Sequence, residues 1–127
     1  MPSDFKNPLG ELEAEVMEIM WKCKNATVRS VLNCLCKKRD IAYTTIMTIM
    51  FRLHTKGILS RREDESGAYV YSLVEDREHF FARVSERMIT NLIKNYGDVA
   101  VAQFFNILDK GDFARTREWK RKLKKVR

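Results

Sequence analysis

The sequence predicts a mainly α-helical protein in which three helices and a β-hairpin precede three further helices. Three observations carry that prediction. Apolar residues recur at helical spacing from Leu9 to Leu53 and again after residue 75. Between those stretches the period changes, and Tyr69-Val70-Tyr71 is a run of strand formers. Turn-forming residues fall at the joints, at Asn25-Ala26, Gly57, Ser66-Gly67, Gly97-Asp98 and Gly111.

The first helix is expected from about Pro8 to Trp21. Leu9, Leu12, Val16, Ile19 and Met20 form its apolar stripe, and Glu11, Glu13, Glu15 and Glu18 lie elsewhere on it. Asn25-Ala26 reads as a turn, and Thr27 as the N-cap of a short second helix carrying Val28, Val31, Leu32 and Leu35 and ending near Lys38-Arg39. Asp40-Ile41-Ala42 is a short connection. Ile46, Ile49, Met50 and Leu53 give the third helix its i, i+3, i+4, i+7 stripe, and Gly57 ends it. Residues 58–62 and 68–73 are the hairpin strands, with Glu63 to Gly67 as the turn.

Asp76 is expected to cap a long helix reaching about Asn95, with Phe80, Phe81, Val84, Met88, Leu92 and Ile93 buried. Val99 to Leu108 is a short helix apolar on most of its surface, which demands burial on several sides. Phe113 to Arg127 is a basic helix with Trp119, Leu123 and Val126 on one stripe. The expected division is 1–74 and 75–127. Some fifty residues in three helices bury a core poorly alone. The second region is therefore expected to pair with a second copy through Phe81, Met88, Leu92, Val101, Phe104, Phe105 and Leu108. The alternative is that these helices fold back on residues 1–74 as one monomeric domain.

Charge is distributed unevenly. The 127 residues carry 24 Lys plus Arg against 17 Asp plus Glu, a net +7. Residues 22–62 hold ten bases against Asp40 alone, a local +9 that suits a polyanion. Residues 114–127 hold eight bases against Glu118 alone, a local +7. No apolar run is long enough to span a membrane, and residues 1–6 hold no apolar segment of signal-peptide length. Three cysteines do not form a disulfide framework. The expectation is a soluble, cytoplasmic protein.

The residues offer little for catalysis. Phosphate-loop, dinucleotide, zinc-protease and serine-hydrolase signatures are absent from the sequence. His54 and His79 stand in different elements, and His54 is expected at a surface or interface. Cys34 and Cys36 are two apart on a helix and point about 200° away from each other, so they cannot chelate together unless the helix breaks. Cys23, Cys34 and Cys36 are expected as buried or half-exposed free thiols, with redox or metal sensing as the alternative. No enzyme activity, metal or cofactor is expected.

Helix, helix, turn, helix and hairpin together describe a winged helix-turn-helix, whose third helix would enter the DNA major groove. The core stripe of that helix leaves Thr44, Thr45, Met47, Thr48, Phe51, Arg52 and Thr55 on other faces. Threonine hydroxyls suit phosphate oxygens, and methyl groups suit thymine. Arg52 and Lys56 are the expected cations for the backbone or a guanine, and Arg61 and Arg62, at the base of the wing, are expected at phosphate. The alternative is a protein-interaction module that binds an acidic partner through the same basic face.

Ala42-Tyr43-Thr44-Thr45-Ile46-Met47-Thr48, followed by Arg52-Leu53 and Lys56-Gly57, resembles the recognition-helix signature of the penicillinase repressors, the BlaI/MecI-type family. Leu9-Gly10-Glu11-Leu12-Glu13, Val16-Met17, Trp21, Thr27-Val28 and Tyr69-Val70-Tyr71 extend the resemblance, which is strong over residues 8–74 and looser over 75–108. It implies a dimeric winged-helix repressor on a palindromic operator, with Tyr43, Thr44, Thr45, Met47, Thr48 and Arg52 facing DNA. It also implies relief through proteolysis triggered by a membrane sensor. The counterpart of the family's Asn-Phe cleavage site is Asn106-Ile107, one residue out of register. Two further departures concern charge and cysteine. The wing tip is acidic at Glu63-Asp64-Glu65, and the C-terminal cysteine cluster of the copper-responsive branch is missing.

Overall fold

The computed structural model describes residues 9–37, 40–111 and 115–125. They form two compact units, residues 9–84 and residues 85 onward, each described here by itself.

The first unit contains α1 (Glu11–Cys23), β1 (Asn25–Ala26), α2 (Val28–Leu35), α3 (Tyr43–Thr55), β2 (Leu59–Glu63), β3 (Tyr69–Leu73) and the start of α4 (Arg77–Tyr96). The Gly10 N–H donates to Glu13 Oε1 at 3.0 Å at the head of α1, whose expected first-turn residue Pro8 lies outside the described residues. The helix runs to Cys23, two residues beyond the expected Trp21, and Lys24 closes it at φ 67°.

Asn25-Ala26 is a strand and not simply a turn. It pairs antiparallel with β3, Asn25 opposite Ser72 and Ala26 opposite Tyr71, and makes a three-stranded sheet of order β1-β3-β2. Two residues cannot display the alternation by which a strand is recognised. Only the distant partner, whose Ser72 hydroxyl donates to Asn25 Oδ1 at 2.6 Å, makes the strand.

Thr27 caps α2 as expected. The Ser30 N–H donates to Thr27 Oγ1 at 3.2 Å, and the Thr27 N–H donates to Ser30 Oγ at 3.0 Å. The α2 helix ends at Leu35, and the expected endpoint Lys38-Arg39 lies outside the described residues. Gly57 adopts φ 81° after α3, and the Ile58 N–H reaches back to the Leu53 carbonyl at 2.9 Å, which satisfies the helix end. In the wing, Glu63 belongs to β2 and not to the turn.

The core draws on every element of this unit. Val16, Met17 and Met20 meet Val31 and Leu35, the α3 stripe of Ile46, Ile49, Met50 and Leu53, and Leu59 and Tyr71 of the wing. Met50 is fully buried, so Met50→Ala would cost about 2–5 kcal/mol. Phe80 also enters this core, and its ring and that of Phe81 stand 5.5 and 5.4 Å from Trp21. The unit thus extends past residue 74 to Val84.

The second unit holds the remainder of α4, α5 (Asp98–Lys110) and α6 (Thr116–Lys125), with Gly97 at φ 60° between the first two. The sequence predicts six buried residues on α4, but only Phe80 is buried. Val84, Met88 and Leu92 are half-buried, and Phe81 and Ile93 are exposed. The α5 helix buries no residue. Three short helices cannot enclose the apolar surface they carry. Phe113 and Val126 lie outside the described residues, as does the Leu123 side chain.

Candidate nucleic-acid interface

The buried stripe of α3 dictates what its other faces present. Tyr43, Thr44, Thr45, Met47, Thr48, Phe51 and Arg52 are all exposed. Met47 and Phe51 retain 45% and 49% of their surface, unusual for large apolar side chains on so well packed a helix. Thr48 Oγ1 donates to the Thr44 carbonyl at 2.9 Å, so its proton is engaged while its lone pairs and methyl group remain available.

Beside this face lies an open groove of about 550 Å³. Its floor and walls come from the first turn of α2 (Thr27, Val28, Arg29), from α3 (Tyr43, Met47, Thr48, Phe51) and from the wing (Arg61, Gly67, Ala68, Tyr69, Tyr71). Two guanidinium groups lie over aromatic rings in it. Arg29 stands 4.7 Å from the Tyr43 ring centre, and Arg61 stands 3.9 Å from Tyr69 and 5.2 Å from Phe51. Arg61 Nη1 also donates to the Tyr71 hydroxyl at 3.2 Å, the first cause of its raised pKa. These contacts fix the orientation of each cation before any anion arrives.

The expected cations therefore separate. Arg61 lines the groove. Arg62 stands opposite Val70 on the other face of β2, exposed. Arg52 is exposed on α3. Lys56 does not join the groove: its ammonium group donates to both Glu13 oxygens, at 3.2 and 3.1 Å, and ties the end of α3 to α1. Arg29, Phe51 and Tyr69 complete the groove and were not singled out as site residues from sequence. Arg29 carried a usable signal, a base in the first turn of a helix where the dipole disfavours it.

The acidic wing tip is not uniformly free. Asp64 Oδ1 accepts from the Ser66 hydroxyl at 2.6 Å and from the Ser66 and Ala68 N–H groups at 2.8 and 3.1 Å. The Ser66 hydroxyl leads the causes that lower its pKa. Asp64 thus builds the turn, with Gly67 at φ 86°, while Glu63 and Glu65 are exposed.

His54 is half-buried and not a plain surface residue: its Nδ1 lies 3.2 Å from the Leu59 carbonyl oxygen, and its ring faces Tyr71. Cys23, Cys34 and Cys36 are free and exposed, not buried. Among the described residues, no cluster of three or more His, Cys, Asp or Glu could hold a metal, and no helix is long and apolar enough to cross a membrane. Of the residues expected at a dimer contact, Phe104 and Phe105 are exposed on α5, Val101 and Leu108 are half-buried there, and Met88 and Leu92 are half-buried on α4. Phe81 instead packs beside Trp21. Asn106 and Ile107 are exposed within α5.

Comparison with known proteins identifies the family. The family model described as penicillinase repressor matches residues 9–119. The transcriptional regulator BlaI of Mycobacterium tuberculosis is 39% identical over 75 residues, which are 58% of this chain and 54% of that protein. The chain thus matches about half the length of that relative. The methicillin resistance regulatory protein MecI of Mammaliicoccus sciuri is 30% identical over 96 residues, 76% of this chain and 77% of that one. The solution structure of the DNA-binding domain of the repressor BlaI superposes with a TM-score of 0.49 at 30% identity, over 55% of this chain and 84% of that domain. With residues 9–119 matched, the chain belongs to the penicillinase repressor family, a family of winged-helix transcriptional repressors and not of enzymes.

Proposed function

We propose that the protein represses transcription as a homodimer on a palindromic DNA operator, with α3 reading bases and its surroundings holding the sugar-phosphate backbone. The observation that carries this reading is the single exposed surface formed by α3 and the groove. Met47 and Thr48 line the groove, Thr44, Thr45 and Arg52 are exposed on the same helix, and the groove's cations Arg29 and Arg61 are held in place by aromatic rings. The division of labour follows from chemistry. Thr48, whose proton is engaged within the helix, would accept from a base amino group or place its methyl on thymine. Arg29 and Arg61 would pair with phosphates, contacts that set register without reading sequence.

The exposed apolar residues of α4 and α5 support the dimer. Ile89, Ile93, Val99, Phe104 and Phe105 would cost less free energy covered by a second copy than left in water. Residues 85 onward then serve as the dimerisation region and residues 9–84 as the reader. Relief would come from a membrane sensor protease or another signal. Cleavage between Asn106 and Ile107 requires α5 to unwind locally, because both residues lie within a helix.

Selection of bound sequences from a random duplex pool tests the reading. A recovered palindrome supports it. Binding that shows no sequence preference, with tighter capture of an acidic protein, supports the interaction-module alternative.

A further inference from the structure

We propose that α6 is a second, sequence-independent contact for the DNA phosphate backbone, added to the winged helix; the proposal rests on the operator-binding reading. The last fourteen residues carry eight bases and one acid, a net +7, whereas residues 1–113 carry sixteen of each and are neutral. All of the net charge of the chain therefore sits in this segment. Arg117, Arg121 and Lys122 are exposed, and Arg117 and Arg121 are one turn apart on α6.

The single acid offsets them only in part, since it lies near enough to Lys122 to feel its charge but is hydrogen-bonded to Arg115. The Glu118 carboxylate accepts from Arg115 Nε at 3.0 Å and Nη2 at 2.7 Å, so it neutralises a base that lies ahead of the helix. Beyond Glu118 the segment has bases at 120, 121, 122, 124, 125 and 127 and no acid. A solvated surface helix ordinarily alternates its charges, and like charges one turn apart destabilise it. A polyanion relieves that repulsion and releases its own counterions as it does so.

The match to the family model ends at residue 119, so most of this charge lies beyond what the chain shares with that model. The occupant favoured is duplex DNA. A duplex held by the winged helix is tethered to the same chain, which raises its effective concentration for α6.

The test compares the full-length protein with the variant Arg117→Gln, Arg121→Gln, Lys122→Gln, on operator and on random duplex across a range of salt. Gln keeps helix propensity, and circular dichroism checks that helix content is retained. The expected result is a fall of up to about five in the slope of log affinity against log salt, since the bound dimer loses six cations and each lost phosphate contact removes about 0.9. Affinity should fall by the same factor on both duplexes, which leaves operator discrimination intact. A variant slope equal to that of a parent that selects its operator overturns this inference alone. A parent that binds no DNA overturns it together with the operator reading. A parent that binds duplex without preference, with the slope still falling in the variant, removes only the operator reading. Loss of binding to phosphatidylserine vesicles with no change on DNA would reassign α6 to a membrane surface and overturn the proposal.

Discussion

The Lys56 ammonium group bridges both carboxylate oxygens of Glu13, at 3.2 and 3.1 Å, and joins the C-terminal end of α3 to the first turn of α1. The pair turns an expected DNA contact into a brace for the helix that carries the reader. Lys56→Gln should leave the salt dependence of DNA binding unchanged. It should lower stability by under about 1 kcal/mol, the range for pairs that solvent reaches. Burial raises the Glu13 pKa, but the Gly10 N–H, Lys56 and Arg52 outweigh it and hold the group below the ordinary value. The brace is therefore present above about pH 4.3 and lost as pH falls through the lowered pKa. Urea unfolding of parent and variant at neutral and acid pH measures both effects, and the difference between the two proteins should shrink in acid.

The wing tip offers a test of phosphate repulsion, provided the turn survives. Glu63→Ser with Glu65→Ser should tighten binding on every duplex by about the same factor, because phosphate contacts carry no base information. Asp64 must stay, since its carboxylate holds the Ser66 and Ala68 N–H groups. Equal affinities for parent and double variant would place the tip away from DNA.

The start of α4 responds to pH. Asp76 Oδ1 accepts from the His79 N–H at 2.8 Å and lies 2.6 Å from His79 Nδ1. The hydrogen bond from the His79 backbone leads the causes that lower the Asp76 pKa, and the side-chain bond to Asp76 leads those that raise that of His79. The histidine contribution is full below its unfolded pKa and is lost as pH rises through the raised one. The aspartate contribution is full above its unfolded pKa and is lost as pH falls through the lowered one. Both are therefore present between about pH 4 and 6.5. In an NMR titration Asp76→Ala should shift the His79 midpoint downward; an unmoved midpoint would contradict the contact.

The exposed apolar residues of α5 predict concentration-dependent assembly. Phe104 and Phe105 retain 49% and 52% of their surface. The parent should sediment as a dimer at micromolar concentration, and Phe104→Ser with Phe105→Ser should sediment as a monomer. A monomeric parent would remove the dimer from the account.

Most of the helical framework was legible because each helix of the first unit buries one stripe, and a stripe is a local pattern. Ile46, Ile49, Met50 and Leu53 marked both the core and, by exclusion, the outward face of α3. The strand at Asn25-Ala26 was illegible because its identity lies in Ser72 and Tyr71, some 46 residues away. The roles of Lys56 and Arg61 were hidden for the same reason. A base in a basic stretch reads as a phosphate contact, and only the fold shows that Glu13 takes up Lys56 while Tyr69 and Tyr71 orient Arg61 in the groove. On α4 the apolar spacing was clear, but spacing cannot say whether a neighbour exists to bury it.

The central claim, that α3 reads base sequence, is tested most directly by binding isotherms of Met47→Ala and Thr48→Ala on the selected operator and on random duplex. Both side chains are exposed and uncharged, and the core does not depend on them. The account predicts a loss of about 1–3 kcal/mol on the operator and little change on random DNA. Variants that discriminate operator from random duplex as well as the parent does would show that α3 is not the reader.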